Sequence, residues 1–96
     1  MPPSAANVVT MNRLAGEVDR LNISIAQTNK KITDLESRIA QKTVEFHRAS
    51  SESTRRSIKG SIDQYRRQIQ DCHKQNANYV AQSEQKRAEY NRLSRL

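Results

Sequence analysis

An uninterrupted spacing of apolar residues in the first half of the chain constrains the fold more than any other feature. The steps alternate between three and four residues from Met11 to Ala49, and only two of the twelve positions, Thr28 and Lys42, are polar. This spacing is the heptad repeat of a helix that packs on one or two other helices through a narrow stripe. The predicted helix–helix seam residues in this half are Leu14, Val18, Leu21, Ile25, Ile32, Leu35, Ile39 and Phe46.

A second heptad seam begins at Ile58 and ends at Leu93. Eight of its eleven positions are apolar when tyrosine and cysteine are counted, and the polar positions lie mainly towards its end. The pattern predicts a second long helix with one packing stripe. Its predicted seam residues are Ile58, Ile62, Tyr65, Ile69, Tyr79 and Tyr90, with Cys72 on the same stripe.

The two seams are out of phase, which predicts a bend between them. Ala49 and Ile58 occupy the same heptad position but lie nine residues apart, which is one heptad plus two residues. Coiled coils absorb insertions of three or four residues, and an insertion of two is not among these. The intervening stretch SSESTRRS is rich in serine and threonine, with Ser51, Ser53 and Thr54 as candidate N-caps. We therefore expect a flexible segment over 1–9 and a helical hairpin over 10–96, with helix 1 at about 10–49, a turn at about 50–54 and helix 2 at about 55–95.

Folding the chain at residue 52 brings the two seams into register. Ile32 then faces Cys72, Leu35 faces Ile69, and the two polar positions Thr28 and Asn76 face each other as a layer that fixes register. The predicted fold is all-α, a long antiparallel two-helix coiled-coil hairpin that could assemble into a four-helix bundle. The competing structure is one continuous helix in a parallel coiled-coil filament.

The chain carries 17 Lys and Arg against 10 Asp and Glu, a formal net charge of +7. Most of the excess lies in the second half. Such a surface attracts nucleic acid, acidic lipid or an acidic protein, although Lys and Arg also simply solubilise an exposed helix. The candidate contacts to a polyanion or an acidic partner are Arg55, Arg56, Lys59, Arg66 and Arg67.

Neither composition nor motifs indicate an enzyme. Hydrophobic residues make up 34 % of the chain, too few for a large core with a pocket. The soft metal ligands His47, Cys72 and His73 do not converge on the predicted hairpin, and there is no glycine-rich phosphate loop. We expect no catalytic residues, cofactor, metal or small-molecule substrate.

The sequence also bears on location. No run approaches the eighteen apolar residues of a membrane span, and the start MPPSAANVVTM has no charged n-region. We expect no membrane span, and a protein that is cytoplasmic or exported without a classical signal peptide.

In length and two-helix layout the chain resembles the WXG100 class of type VII secretion proteins. The tripeptide Ile58-Lys59-Gly60 occupies roughly the place of the W-x-G at the mid-chain turn of that class, with Ile58 in place of tryptophan. The C-terminal Y-x-x-x-D/E signal is absent, because Ser83 follows Tyr79 and Ser94 follows Tyr90 at that spacing. The resemblance implies a secretion-linked partner or chaperone.

Matched heptads without catalytic residues predict a non-enzymatic helical-hairpin interaction module, such as an adaptor, chaperone or assembly subunit. Its partner would be another helical protein or a second copy of the chain. The alternative is a basic helical protein that binds nucleic acid or another polyanion through its second helix.

Overall fold

The computed structural model describes residues 2–96 and contains two long α-helices, α1 (Ala5–Arg48) and α2 (Glu52–Ser94). No strand occurs in this part of the chain. The helices pack as a hairpin, as the two heptad seams predict, and a single continuous helix is thereby excluded.

Helix α1 begins at Ala5, five residues before the start that the seam suggests. Ser4 is its N-cap: the Ser4 Oγ accepts a hydrogen bond from the Asn7 backbone N–H at 3.1 Å, and the Ser4 carbonyl accepts one from Val8 N–H at 2.9 Å. Such a cap satisfies amide groups that have no intrahelical partner. The segment 5–9, predicted to be flexible, is therefore helical because of a local cap that the apolar spacing cannot reveal.

The turn is shorter than expected and lies earlier, because α1 ends at Arg48 and α2 begins at Glu52. Of the three candidate N-caps, Ser51 takes the role, and its Oγ accepts a hydrogen bond from the Thr54 backbone N–H at 3.0 Å. Ser51 also donates its hydroxyl hydrogen to Thr54 Oγ1 at 2.8 Å. The other two candidates, Ser53 and Thr54, already lie within α2.

The hairpin divides into two units. The bend unit comprises residues Thr28–Gln75, and the terminal unit comprises the residues up to Gln27 together with Asn76–Leu96. Each unit contains one piece of α1 and one piece of α2.

The core of the bend unit is a cluster of Ile32, Leu35 and Cys72, against which Tyr65 and Ile69 pack. Leu35 is 3 % exposed and Cys72 is 2 % exposed. The register predicts that Ile32 faces Cys72 and that Leu35 faces Ile69. In the structure these four residues belong to one cluster. The guanidinium of Arg38 lies over the Tyr65 ring, 6.0 Å from its centre, and shields this edge of the cluster.

The terminal unit is held by fewer buried apolar side chains, Leu14 and Leu93. Ser83 is also buried in this unit, at a seam position where the repeat calls for an apolar residue. Tyr90, predicted on the seam, is 36 % exposed, so its ring lies at the edge of the stripe.

The tripeptide Ile58-Lys59-Gly60 lies inside α2 and not at the turn. Ile58 is buried on the seam. The position of this tripeptide therefore differs from that of the W-x-G in the resemblance described above.

Candidate interaction surface

The buried side chains lie on the heptad seam. Within residues 2–96, every buried residue occupies a seam position, and seven of these residues are apolar. The other predicted apolar seam residues, Tyr90 apart, are half-buried: Val18, Leu21, Ile25, Ile39, Phe46, Tyr65, Ile69 and Tyr79. Half-burial along a packing stripe leaves apolar edges that a further helix could cover.

The predicted polar layer is split between the two units. Thr28 is buried in the bend unit, whereas Asn76 is half-buried in the terminal unit. Both residues make interactions. Their joint role in fixing the register stays a prediction.

One flank of the seam is more covered than the other on α2 of the bend unit. Ser61 and Gln68, each one residue before a seam position, are half-buried. Lys59 and Arg66, each one residue after a seam position, are exposed. The seam is therefore open beside Lys59 and Arg66, while Asp63 between them is half-buried.

Two adjoining hollows lie on this open side of the bend unit, and we call them together the bend groove. The first hollow has a volume of about 300 Å³, and its apolar lining residues are Phe46 and Ile62. A second hollow of about 390 Å³ shares Phe46 and Lys59 with the first, so the two form one surface. The groove is lined by Thr43, Phe46, His47, Glu52, Arg55, Arg56, Lys59, Ile62, Asp63 and Arg66.

Phe46 lines both hollows of the groove. It is half-buried, and the adjacent His47 ring meets it edge-on at 5.8 Å between ring centres and 83° between planes. An aromatic ring that is partly packed and partly exposed is a common anchor point at protein interfaces.

The five predicted cationic contacts have different environments. Arg55 donates from Nε to the carbonyl oxygen of Ala49 at 3.0 Å, so it caps the end of α1. In the part of the chain that the structure describes, no carboxylate lies within 4.0 Å of the side-chain nitrogens of Arg56, Lys59, Arg66 or Arg67. Arg67 does not line the groove. Three of the five cations, Arg56, Lys59 and Arg66, thus line the groove without a carboxylate partner.

An ion pair joins the two helices in the terminal unit. Lys86 Nζ lies 2.8 Å from Glu17 Oε2, and Arg13 Nη1 lies 2.9 Å from Glu17 Oε1. The hydrogen bond from Lys86, only partly opposed by desolvation, lowers the pKa of Glu17 from its ordinary value of 4.5. Lys86 occupies a seam position, and its long side chain carries the ammonium group out to the carboxylate.

A third hollow, of about 280 Å³, lies in the terminal unit and is lined by Leu14, Val18 and Tyr90. The polar residues Asp19, Arg87 and Asn91 also line it. It is one more place where the edge of the seam is open to solvent.

The residue types that bind metal ions in other proteins form no such site in residues 2–96. No group of three His, Cys, Asp or Glu side chains in residues 2–96 is placed to hold a metal ion. Cys72 is a buried free thiol within the apolar cluster. Neither α1 nor α2, as described, has a stretch that is apolar and long enough to cross a bilayer.

Sequence reasoning identified the seam and the basic cluster but not the groove between them. Phe46 was assigned to packing alone, and the carbonyl that Arg55 binds was not foreseen. The signal for the groove was present, because Lys59 and Arg66 both follow seam positions and lie seven residues apart.

Comparisons with known protein families, with curated proteins and with solved structures find no match.

Proposed function

We propose that this chain is a non-enzymatic helical-hairpin module for protein–protein interaction, acting as an adaptor, chaperone or assembly subunit. It would present the open edges of its seam to another helical protein or to a second copy of itself. The observation that carries the proposal is the half-burial of most of the apolar seam residues in a hairpin whose flank at Lys59 and Arg66 is exposed.

The physical support is the limited burial that two helices provide. Each helix of the pair covers one stripe of the other, whereas in a four-helix bundle each helix also packs against a second neighbour. Apolar side chains off the seam add to the exposed surface: Ile23, Val44 and Val80 are all exposed. Covering such residues and the seam edges with a third or fourth helix would bury apolar area and stabilise the hairpin.

Sedimentation equilibrium of the purified chain, joined with affinity capture from native lysate, tests the proposal. We expect either a defined oligomer or a stoichiometric complex with a helical protein that can be rebuilt from purified components. Val44→Glu and Val80→Glu serve as probes of exposed apolar positions, and Ser37→Glu is the matched charge control on an exposed polar position. A chain that is monomeric and recovers no protein would remove the basis of the proposal.

A secretion-linked partner, suggested by the two-helix layout similar to the WXG100 class, is one version of this function. The identity of the captured protein decides that version.

The second candidate function is binding of nucleic acid or another polyanion through α2. It is favoured by Arg56, Lys59, Arg66 and Arg67, none of which has a carboxylate within ion-pair distance in residues 2–96. Phosphate contacts release counterions, so the affinity for duplex DNA should fall steeply with salt. Replacing the five basic residues of the cluster by glutamine should abolish this binding, and binding that ignores both changes would rule it out.

A further inference from the structure

We infer that the bend groove is a docking site for an acidic amphipathic helix of a partner protein. The inference rests on the proposed function, since it names the surface and the chemistry through which the hairpin would take a partner. It commits to one occupant: a helix with an apolar face flanked by carboxylates.

The groove has an apolar base that a partner side chain could contact. Phe46 and Ile62 line it, and Phe46 is the single phenylalanine of the chain. Ile62 is itself buried, so an occupant would contact a firm apolar surface and would bury mainly the exposed part of the Phe46 ring. An apolar residue on the partner would gain from that contact, whereas a phosphate group would not.

Positively charged side chains border the groove. Lys59 and Arg66 are exposed, lie on the same side of α2 and are separated by seven residues, which is about 10.5 Å along a helix. Arg56 lines the adjoining hollow, and Arg55 is engaged with the Ala49 carbonyl. Cations that make no ion pair within residues 2–96, beside an apolar floor, are complementary to carboxylates beside an apolar residue.

Two carboxylates on the rim argue against a polyanion as the occupant. Asp63 lines the first hollow and Glu52 lines the second, so a phosphate backbone laid along the groove would meet both negative groups. A second copy of the chain is also disfavoured, because each copy carries a net charge of +7 and the groove itself is cationic. A partner helix can instead place its acidic residues only where Lys59 and Arg66 lie.

The spacing of the cations defines the partner helix. Acidic residues at i and i+7 match the separation of Lys59 and Arg66, and an apolar residue at i+3 or i+4 lies between them on the same face. That arrangement places the apolar residue over the part of the groove that Ile62 lines, while the two carboxylates reach the cations.

The test uses the full chain and a fluorescent synthetic helical peptide with glutamates seven residues apart and leucines three and four residues after each. A scrambled peptide of the same composition and a duplex DNA are the comparison ligands, and fluorescence anisotropy gives the affinities. We expect the patterned peptide to bind more tightly than either comparison ligand. Its addition should shift the methyl NMR signals of Ile62 and leave those of Ile25, in the terminal unit, unchanged.

Charge-reversing substitutions at exposed positions should leave the hairpin folded, so the affinities of the variants can be compared directly. The double variant Lys59→Glu, Arg66→Glu should weaken peptide binding about tenfold or more, and the matched double variant Lys30→Glu, Lys74→Glu should change it less than about twofold. All four residues are exposed, and circular dichroism verifies that each variant remains helical.

Several results would overturn the inference: no binding of the patterned peptide, equal binding of the scrambled peptide, tighter binding of DNA, or equal weakening by the two double variants. The proposed function fails separately, through a chain that is monomeric and captures no protein. A complex with a helical partner that survives Lys59→Glu, Arg66→Glu would overturn the inference and leave the proposed function standing.

Discussion

At the scale of single residues, the depth of burial divides the seam into side chains that stabilise the hairpin and side chains that border its surface. Leu35 lies in the cluster with Ile32 and Cys72, whereas Phe46 is half-buried at the groove. Residues on the same heptad seam therefore differ in what a substitution would do.

Leu35→Ala should lower the free energy of unfolding by about 2–5 kcal/mol, because it removes a side chain that is 3 % exposed and leaves a cavity. Val44→Ala, at an off-seam position that is 49 % exposed, should change it by less than about 0.5 kcal/mol. Urea titration followed by circular dichroism measures both values. Equal costs for the two variants would contradict the assignment of the seam.

The pairing of Glu17 with Lys86 makes a pH-dependent contribution between the helices of the terminal unit. Because hydrogen bonding to Lys86 lowers the folded-state pKa of Glu17, the ionised carboxylate favours the folded chain. This stabilisation is present above the ordinary pKa of 4.5 and is lost as the pH falls through the lowered folded-state value.

Glu17→Gln should therefore reduce stability at neutral pH, and its difference from the parent chain should shrink as the pH falls below the ordinary carboxyl pKa of 4.5 and through the lowered folded-state value. High salt should also shrink the difference, because both side chains reach solvent. Glu36→Gln, an exposed position without an ion pair in residues 2–96, is the control and should show little of either effect. Thermal unfolding across pH measures the differences, and a pH-independent loss would contradict the ion-pair interpretation.

At the scale of the helices, local capping decides where α1 and α2 begin. Ser4 and Ser51 each accept a hydrogen bond from the backbone N–H three residues later. These caps extend both helices beyond the bounds that the apolar repeat suggests. Inside the helices, Gly16 and Gly60 oppose the helical conformation through their low propensity.

Gly16→Ala and Gly60→Ala should each raise the free energy of unfolding by about 0.5–1 kcal/mol. Neither glycine has a positive φ, and a Cβ added at either position would meet no atom within 4 Å. Ser37→Gly, at an exposed position of α1, is the reverse control and should lower stability by about 0.5 kcal/mol. Thermal or urea unfolding reads out all three, and a loss of stability in either alanine variant would show that the glycine meets a close neighbour.

At the scale of the whole molecule, the hairpin depends on the chain reversing between Arg48 and Glu52. The interhelical contacts within each unit follow from that reversal. They include the Glu17–Lys86 ion pair in the terminal unit and the Ile32, Leu35 and Cys72 cluster in the bend unit.

Spin labels at Ala15 and Arg87, in a Cys72→Ala background, should report a short distance, because both residues line the same hollow and packed helix axes lie about 8–10 Å apart. In a continuous helix the same two positions would lie more than about 100 Å apart at about 1.5 Å per residue. Double electron–electron resonance measures the separation. Labels at Ala15 and Ile23, both on α1, provide the intrahelical reference, and a long 15–87 distance would contradict the hairpin.

Much of the fold was open to prediction because a heptad repeat is a direct consequence of helix geometry. The positions of Leu14 and Ile32 on one stripe of α1 and of Ile58 and Ile62 on one stripe of α2 follow from 3.6 residues per turn, and the two-residue phase shift after Ala49 requires a break. The exposure of Tyr90 and the burial of Ser83 were less predictable, because the covering of a seam position depends on the side chains that face it.

The sequence by itself determined the two packing stripes and the phase shift between them, and favoured an antiparallel hairpin, since these depend on spacing along one chain. Only the tertiary structure decided where the seam stays open and which cations remain uncompensated. Arg55 donates a hydrogen bond to the carbonyl of Ala49, just after α1, while Lys59 and Arg66 line the hollow beside Phe46 without a carboxylate within ion-pair distance in residues 2–96. Such differences arise from distances between side chains on separate helices, which heptad spacing along a single helix does not specify.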